Sequence, residues 1–191
     1  MPIPERRARQ REERRRAIID AARQLAEEEG WSAVTIRRLA DRIEYSQPVL
    51  YSHFQDKLAI TQAVAIEGFV ELAAALHRAR SAAKGPNAAV RRVTRAYLEF
   101  AAEHPAVYEA MFSQAIGLEF ASASTRPELH AGFEELVAAL EPVAGSRPIG
   151  PFTELYWSTL HGVATLTRGA RLSIGAAQER VTLLNELFGA P

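Results

Sequence analysis

The chain has 191 residues, 23 basic and 23 acidic side chains, 48% apolar residues and no cysteine. That length is one large domain, or a small one joined to a medium one, with enough buried core to fold unaided. The missing cysteines exclude disulfides, thiolate metal sites and thiol catalysis, and the ordinary composition argues against wholesale disorder.

No uninterrupted apolar stretch approaches the ~20 residues of a membrane span. The N-terminus has no apolar signal core, and Glu5, Glu12 and Glu13 among its arginines are unlike a transit peptide. The zero net charge hides an uneven distribution. Residues 1–16 hold seven Arg and three Glu. Residues 1–53 carry a surplus of two positive charges and residues 54–191 a surplus of two negative. A basic cluster on a balanced protein suits a polyanion, nucleic acid first. A merely solubilising charged face fits the same residues.

The expected fold class is all-α. Ala, Leu, Glu and Arg dominate, and period-two alternation is missing. The first helix is expected over 5–29, with Ile18, Ala22, Leu25 and Ala26 as its apolar stripe and Gly30 as its stop. Thr35 is placed to cap a short helix over 36–43 that buries Ile36, Leu39, Ala40 and Ile43. Ser46 is placed to cap the next, with Pro48 tolerated in its first turn and Leu50 and Phe54 inward. A long helix over 56–83 offers Leu58, Val64, Phe69, Val70, Ala73 and Leu76 for packing. Helices over 87–103, 105–120, 126–144, 151–168 and 176–188 complete a set of about nine, separated by Pro, Gly and Ser/Thr breaks.

Residues 35–54 read TIRRLADRIEYSQPVLYSHF. Two short amphipathic helices meet at a turn around Glu44-Tyr45, and Ala40 is small enough for close approach, which is helix-turn-helix spacing. The second helix exposes Gln47, Pro48, Val49, Tyr51 and His53, a size and chemistry suited to a DNA major groove. Thr35, Ser46, Tyr51, His53 and Lys57 are placed to reach phosphates. Arg37 and Arg38 are phosphate contacts or plain surface charge, and Arg6, Arg7, Arg9 and Arg11 are placed to follow the DNA backbone or enter an adjacent minor groove, or else form an untethered solvated tail.

The stretches Ile18–Leu25, Gly30-Trp31 and 35–58, above all Leu50-Tyr51-Ser52-His53-Phe54-Gln55-Asp56-Lys57, resemble the DNA-binding domain of TetR-type regulators. The resemblance implies a domain over 1–57 that binds an inverted repeat of double-stranded DNA. It implies a homodimeric repressor whose second domain, over 58–191, dimerises and binds a small apolar or aromatic effector, with no cofactor, in the bacterial cytoplasm close to the nucleoid. It further implies a recognition helix over 47–53, backbone contacts from Tyr51 and His53, and a phosphate contact from Lys57. Family members usually have Gly where this chain has Glu44. A left-handed turn costs a non-Gly residue about 1–2 kcal/mol, so either the turn changes or the fold absorbs the strain.

Two C-terminal stretches, His104–Phe112 and Trp157-Ser158-Thr159-Leu160-His161-Gly162, resemble the branch with a Trp-x-x-x-His-Gly motif. Trp157 and His161 share a helix face. The expected effector pocket comprises Tyr97, Phe100, His104, Tyr108, Met111, Phe112, Trp157 and His161, apolar with a few polar anchors; each of these also fits ordinary core. Helices near 151–168 and 176–188 are expected to pair with their copies in a homodimer. Two other classes remain. One is an architectural DNA binder without effector control. The other is a helical enzyme or metal-binding bundle, for which His77 with Glu67 and Glu71 imitates ligand spacing. No GxSxG, HExxH or P-loop supports an enzyme.

Overall fold

The computed structural model describes residues 3–114 and 126–189. Among them it is all helix. α1 spans Ile3–Glu29, α2 Ile36–Arg42, α3 Gln47–Tyr51, α4 Lys57–Ser81, α5 Pro86–Glu103, α6 Pro105–Glu109, α7 Pro127–Leu140, α8 Ile149–Arg168 and α9 Ala177–Phe188. The helix expected over 105–120 stops at Glu109 and widens into a π turn, Ala110–Gln114; the rest of that span lies outside the described residues. The helix expected over 126–144 ends in a 3-10 turn at Glu141–Val143, where Pro142 lacks the N–H that would continue an α-helix.

Two compact units result. The first comprises residues 3–68 and 106–114, the second 69–105 and 126–189. α4 belongs to the first unit through Gly68 and to the second from Phe69. By length and composition α4 could cross a membrane, despite Glu67 and Glu71, and half of its most apolar window is buried inside the protein.

In the first unit Ile18, Ala22, Leu25 and Ala26 of α1 are buried with Trp31, Val34, Leu39, Leu50, Phe54, Ile60 and Val64. Gly30 takes φ +82° and ends α1, a left-handed conformation that glycine adopts at no steric cost. Residues 4–14 are all exposed, so Arg6, Arg7, Arg9 and Arg11 ride on a helical extension of α1, with Arg9 3.6 Å from Glu13 one turn on. Leu58 and Val70, expected to pack, are 41% and 49% exposed; the buried stripe of α4 runs instead through Ile60, Val64, Phe69, Leu72 and Leu76.

In the second unit α5 is the central element, packed by α7, α8 and α9. Its buried side, Val90, Val93, Thr94, Tyr97 and Phe100, recurs at helical spacing. Thr94 Oγ1 lies 2.7 Å from the Tyr156 hydroxyl and 2.9 Å from the Val90 carbonyl, so the buried hydroxyls are paired. Burial pushes the Tyr156 phenol above its ordinary range, only partly offset by Thr94. Phe152 and Tyr156 of α8 pack as tilted rings against Phe188 of α9, with centroids 5.5 and 5.0 Å away.

Candidate nucleic-acid interface

Thr35 has extended backbone and accepts a hydrogen bond from the Arg38 N–H at 3.2 Å. It is the N-cap of α2, so its hydroxyl satisfies one of the helix's unpaired N–H groups. At the other end Ile43 is followed by Glu44 at φ +56°, and the Tyr45 N–H donates to the Ala40 carbonyl at 3.0 Å. That bond, closing over a left-handed residue, is a Schellman end. The turn therefore keeps its left-handed geometry with Glu in place of Gly. Glu44 is exposed and makes no hydrogen bond or ion pair with any described residue.

Ser46 starts α3 with extended backbone and no side-chain cap, leaving its hydroxyl outward, and its carbonyl accepts the Val49 N–H at 2.9 Å. Pro48 sits in the first turn, where a missing N–H costs nothing. Leu50 is fully buried and anchors the helix. Gln47, Pro48 and Tyr51 are exposed, and Val49 and His53 half-buried. Behind them the Arg15 guanidinium lies 4.5 Å over the buried Phe54 ring. Burial first, then the charges of Arg11, Arg14 and Arg15, hold the His53 imidazolium below its usual pKa.

The cations around α2 differ in how tightly they are held. Arg38 forms a two-pronged pair with Glu29 at 2.6 and 2.9 Å, and Arg42 one with Glu28 at 2.7 and 2.8 Å. The paired hydrogen bonds hold both carboxyls below their ordinary range. They tie α2 to α1. Arg37 is only 3.9 Å from Asp41 and 83% exposed, so its charge faces solvent. Lys57 donates to the Trp31 carbonyl at 2.5 Å; an ammonium has two further protons to offer.

Sequence reading missed Glu27. Its carboxylate accepts the N–H groups of Ala106 and Val107 at 3.0 and 3.2 Å, while the Trp31 indole N–H donates to the Ala106 carbonyl at 2.8 Å. Glu27 thus satisfies the first turn of α6, where a carboxylate also meets the favourable end of the helix dipole. Gly68 lets α6 and the π turn come close: a Cβ there would lie 2.5 Å from Val107 Cγ1 and 2.8 Å from Met111 Sδ. No local signal marks these pairs, which are about 80 residues apart in the chain for Glu27.

The expected effector residues divide between the two units. Tyr108, Met111 and Phe112 belong to the first, with Tyr108 and Phe112 rings 4.7 Å apart. Tyr97, Phe100, His104, Trp157 and His161 belong to the second. There the Trp157 indole donates to the Tyr97 hydroxyl at 3.1 Å, the Trp157 and His161 rings are 6.4 Å apart, and Phe100 meets His104 edge-on at 5.1 Å. Burial, with Arg168 nearby, lowers the pKa of His161. His77 pairs with Glu135 at 2.9 Å, beside an Arg80–Glu135 bond of 2.6 Å. No group of three metal-binding side chains is present among the described residues.

Two short helices crossing at a left-handed turn, on a three-helix base followed by an all-helical second unit, define a helix-turn-helix regulator fold. Residues 18–64 match the family described as bacterial regulatory proteins, tetR family, and residues 90–187 match the tetracyclin repressor-like C-terminal domain. The chain belongs to the TetR family of transcriptional regulators. It is 32% identical over 93 residues to the HTH-type transcriptional regulator YobS of Bacillus subtilis, covering 49% of this chain and 48% of YobS. The match thus spans about half the length of that relative. The class D tetracycline repressor of Escherichia coli is 42% identical over 53 residues, 28% of this chain and 24% of the repressor. A solved structure from Rhodococcus sp. RHA1 superposes with a TM-score of 0.75 at 26% identity, over 91% of this chain and 92% of that one.

Proposed function

We propose that this chain is a sequence-specific DNA-binding repressor, acting in the bacterial cytoplasm as a homodimer and released from an inverted-repeat operator by a small effector. The observation that carries the reading is α3 itself, a short helix anchored by one buried leucine with Gln47, Pro48 and Tyr51 facing solvent. Gln47 reads a base edge, and Ser46, Tyr51, His53, Arg37 and Lys57 hold phosphates. Arg38 supports α2 through Glu29 and reaches DNA only by exchanging that partner. Exposed Leu155 and Leu166 on α8 and Leu183 and Leu187 on α9 supply the apolar surface for pairing with a second copy. Such a dimer sets its two recognition helices about 34–36 Å apart, one turn of DNA. Effector binding favours another spacing, with α4 as the lever between the units, and needs different affinities for the two states.

The test is selection of random duplex DNA on the purified protein, followed by salt titration of the winners. An enriched inverted repeat is the expected result. Gln47→Ala then relaxes preference at one base position by about 1–3 kcal/mol. Salt-sensitive binding without any motif makes the protein an architectural binder instead.

A further inference from the structure

The overhang of α1 beyond the three-helix base sorts its charges by side. Residues 1–16 hold seven Arg and three Glu. At about 3.6 residues per turn, Arg7, Arg11, Arg14 and Arg15 fall on one side of the helix. All three Glu fall on the other, with Arg6, Arg9 and Arg16. That second side is neutral, so the whole surplus of four positive charges lies on the first.

The charged side is the core-facing stripe carried outward. Arg7, Arg11 and Arg14 lead at helical spacing into Ile18, Ala22 and Leu25, which are buried. The three arginines are exposed and make no hydrogen bond or ion pair with a described residue. Arg9, on the other side, lies 3.6 Å from Glu13. The charged side also turns toward α3. Arg15 sits 4.5 Å over the ring of Phe54. The charges that, after burial, lower the pKa of His53 just past α3 are those of Arg11, Arg14 and Arg15. Like charges one turn apart weaken a helix, and no carboxylate on this side offsets them; a strand of phosphates does. A lipid surface fits less well, because over residues 5–16 the one apolar residue is Ala8, and a membrane-surface helix needs an apolar face to insert.

We propose that Arg7, Arg11 and Arg14 bind the sugar-phosphate backbone of duplex DNA, continuing the α3 interface outward and lengthening each protomer's footprint without reading bases. Arg6 and Arg9, on the neutral side, stay out of contact. The assignment rests on the reading of the chain as a DNA-binding regulator.

The experiment uses the full chain, with binding to the selected operator and to a scrambled duplex measured across a salt series. Arg7→Gln/Arg11→Gln/Arg14→Gln is compared with Arg6→Gln/Arg9→Gln/Arg16→Gln, which removes the same charge from the other side. The first variant is expected to flatten the salt slope by about two to three units per protomer on both duplexes, the second by less than about one. Lysine at positions 7, 11 and 14 is expected to keep most of the slope, because a phosphate contact needs the charge. Hydroxyl-radical protection flanking each half-site is expected to vanish in the first variant alone, with Tm unchanged in all three. Equal slopes for the two glutamine variants make the surplus a diffuse field and overturn the proposal. So does altered base preference in the first variant, which makes the contact a groove contact. A wild-type protein that selects no operator, yet loses its salt slope on scrambled duplex in the first variant, overturns the regulator reading and supports the stripe. A wild-type protein that binds no duplex overturns both.

Discussion

Replacing Glu44 by glycine is expected to stabilise the protein. Glu44 holds φ +56° at the end of α2, a conformation costing a residue with a Cβ about 1–2 kcal/mol. The side chain is exposed and makes no hydrogen bond or ion pair with described residues, so nothing else is lost. Glycine gives back about 0.4–1 kcal/mol through the greater freedom of the unfolded chain. The net gain is about 0.5–1 kcal/mol, a rise in Tm of about 1–4 °C for a chain of this size. Glu44→Val moves the other way, because a β-branched side chain fits the left-handed region worst. Thermal and urea unfolding in a Trp157→Phe background isolates the fluorescence of Trp31, which is buried in the same unit as the turn. If Glu44→Gly lowers stability by more than about 0.5 kcal/mol, the strain argument is refuted.

Gly68→Ala brings a methyl within 2.5 Å of Val107 Cγ1; overpacking costs about 1–3 kcal/mol, of which better helix propensity returns up to about 1. Urea titration is expected to show the loss, and Val107→Ala in the same chain to recover much of it. Lys57→Ala removes the bond to the Trp31 carbonyl, about 1 kcal/mol, and under the proposed DNA contact also lowers the salt slope of operator binding by about one unit; altered base preference would contradict that role. His53 and His161 both have lowered pKa values in the folded protein, chiefly through burial. The unfolded chain therefore takes up protons first, near pH 6.5, and stability falls as the pH drops below that value. Tm measured between pH 7.5 and 5 is expected to decline less steeply in His53→Gln and His161→Gln than in wild type.

What local rules govern was legible from the residues. Thr35 caps α2 and Gly30 ends α1 because capping and left-handed backbone are decided within a few positions. The inward set Leu39, Ala40, Leu50 and Phe54 follows from helical period alone. What depends on a distant partner was not legible. Arg38 looks like free surface charge until α1 brings Glu29 beside it. The widening of α6 into a π turn occurs where Met111 lies against Gly68 of α4, and no propensity scale registers a neighbour about 40 positions away. For the same reason Tyr108 and Met111 read as part of one aromatic cluster, although they pack in a different unit from Tyr97 and Trp157.

The hold of Glu27 and Trp31 on residues 106 and 107 makes the regulator's N-terminal unit discontinuous in the chain. During synthesis the three-helix base emerges first, but its Glu27 carboxylate and Trp31 indole wait for partners until more than thirty further residues have left the ribosome. A fragment cut at residue 68 would carry those two polar groups unpaired and the flank of Gly68 uncovered. Chimaeras that exchange DNA-binding modules between regulators would therefore join more faithfully if residues 106–114 travelled with residues 3–68.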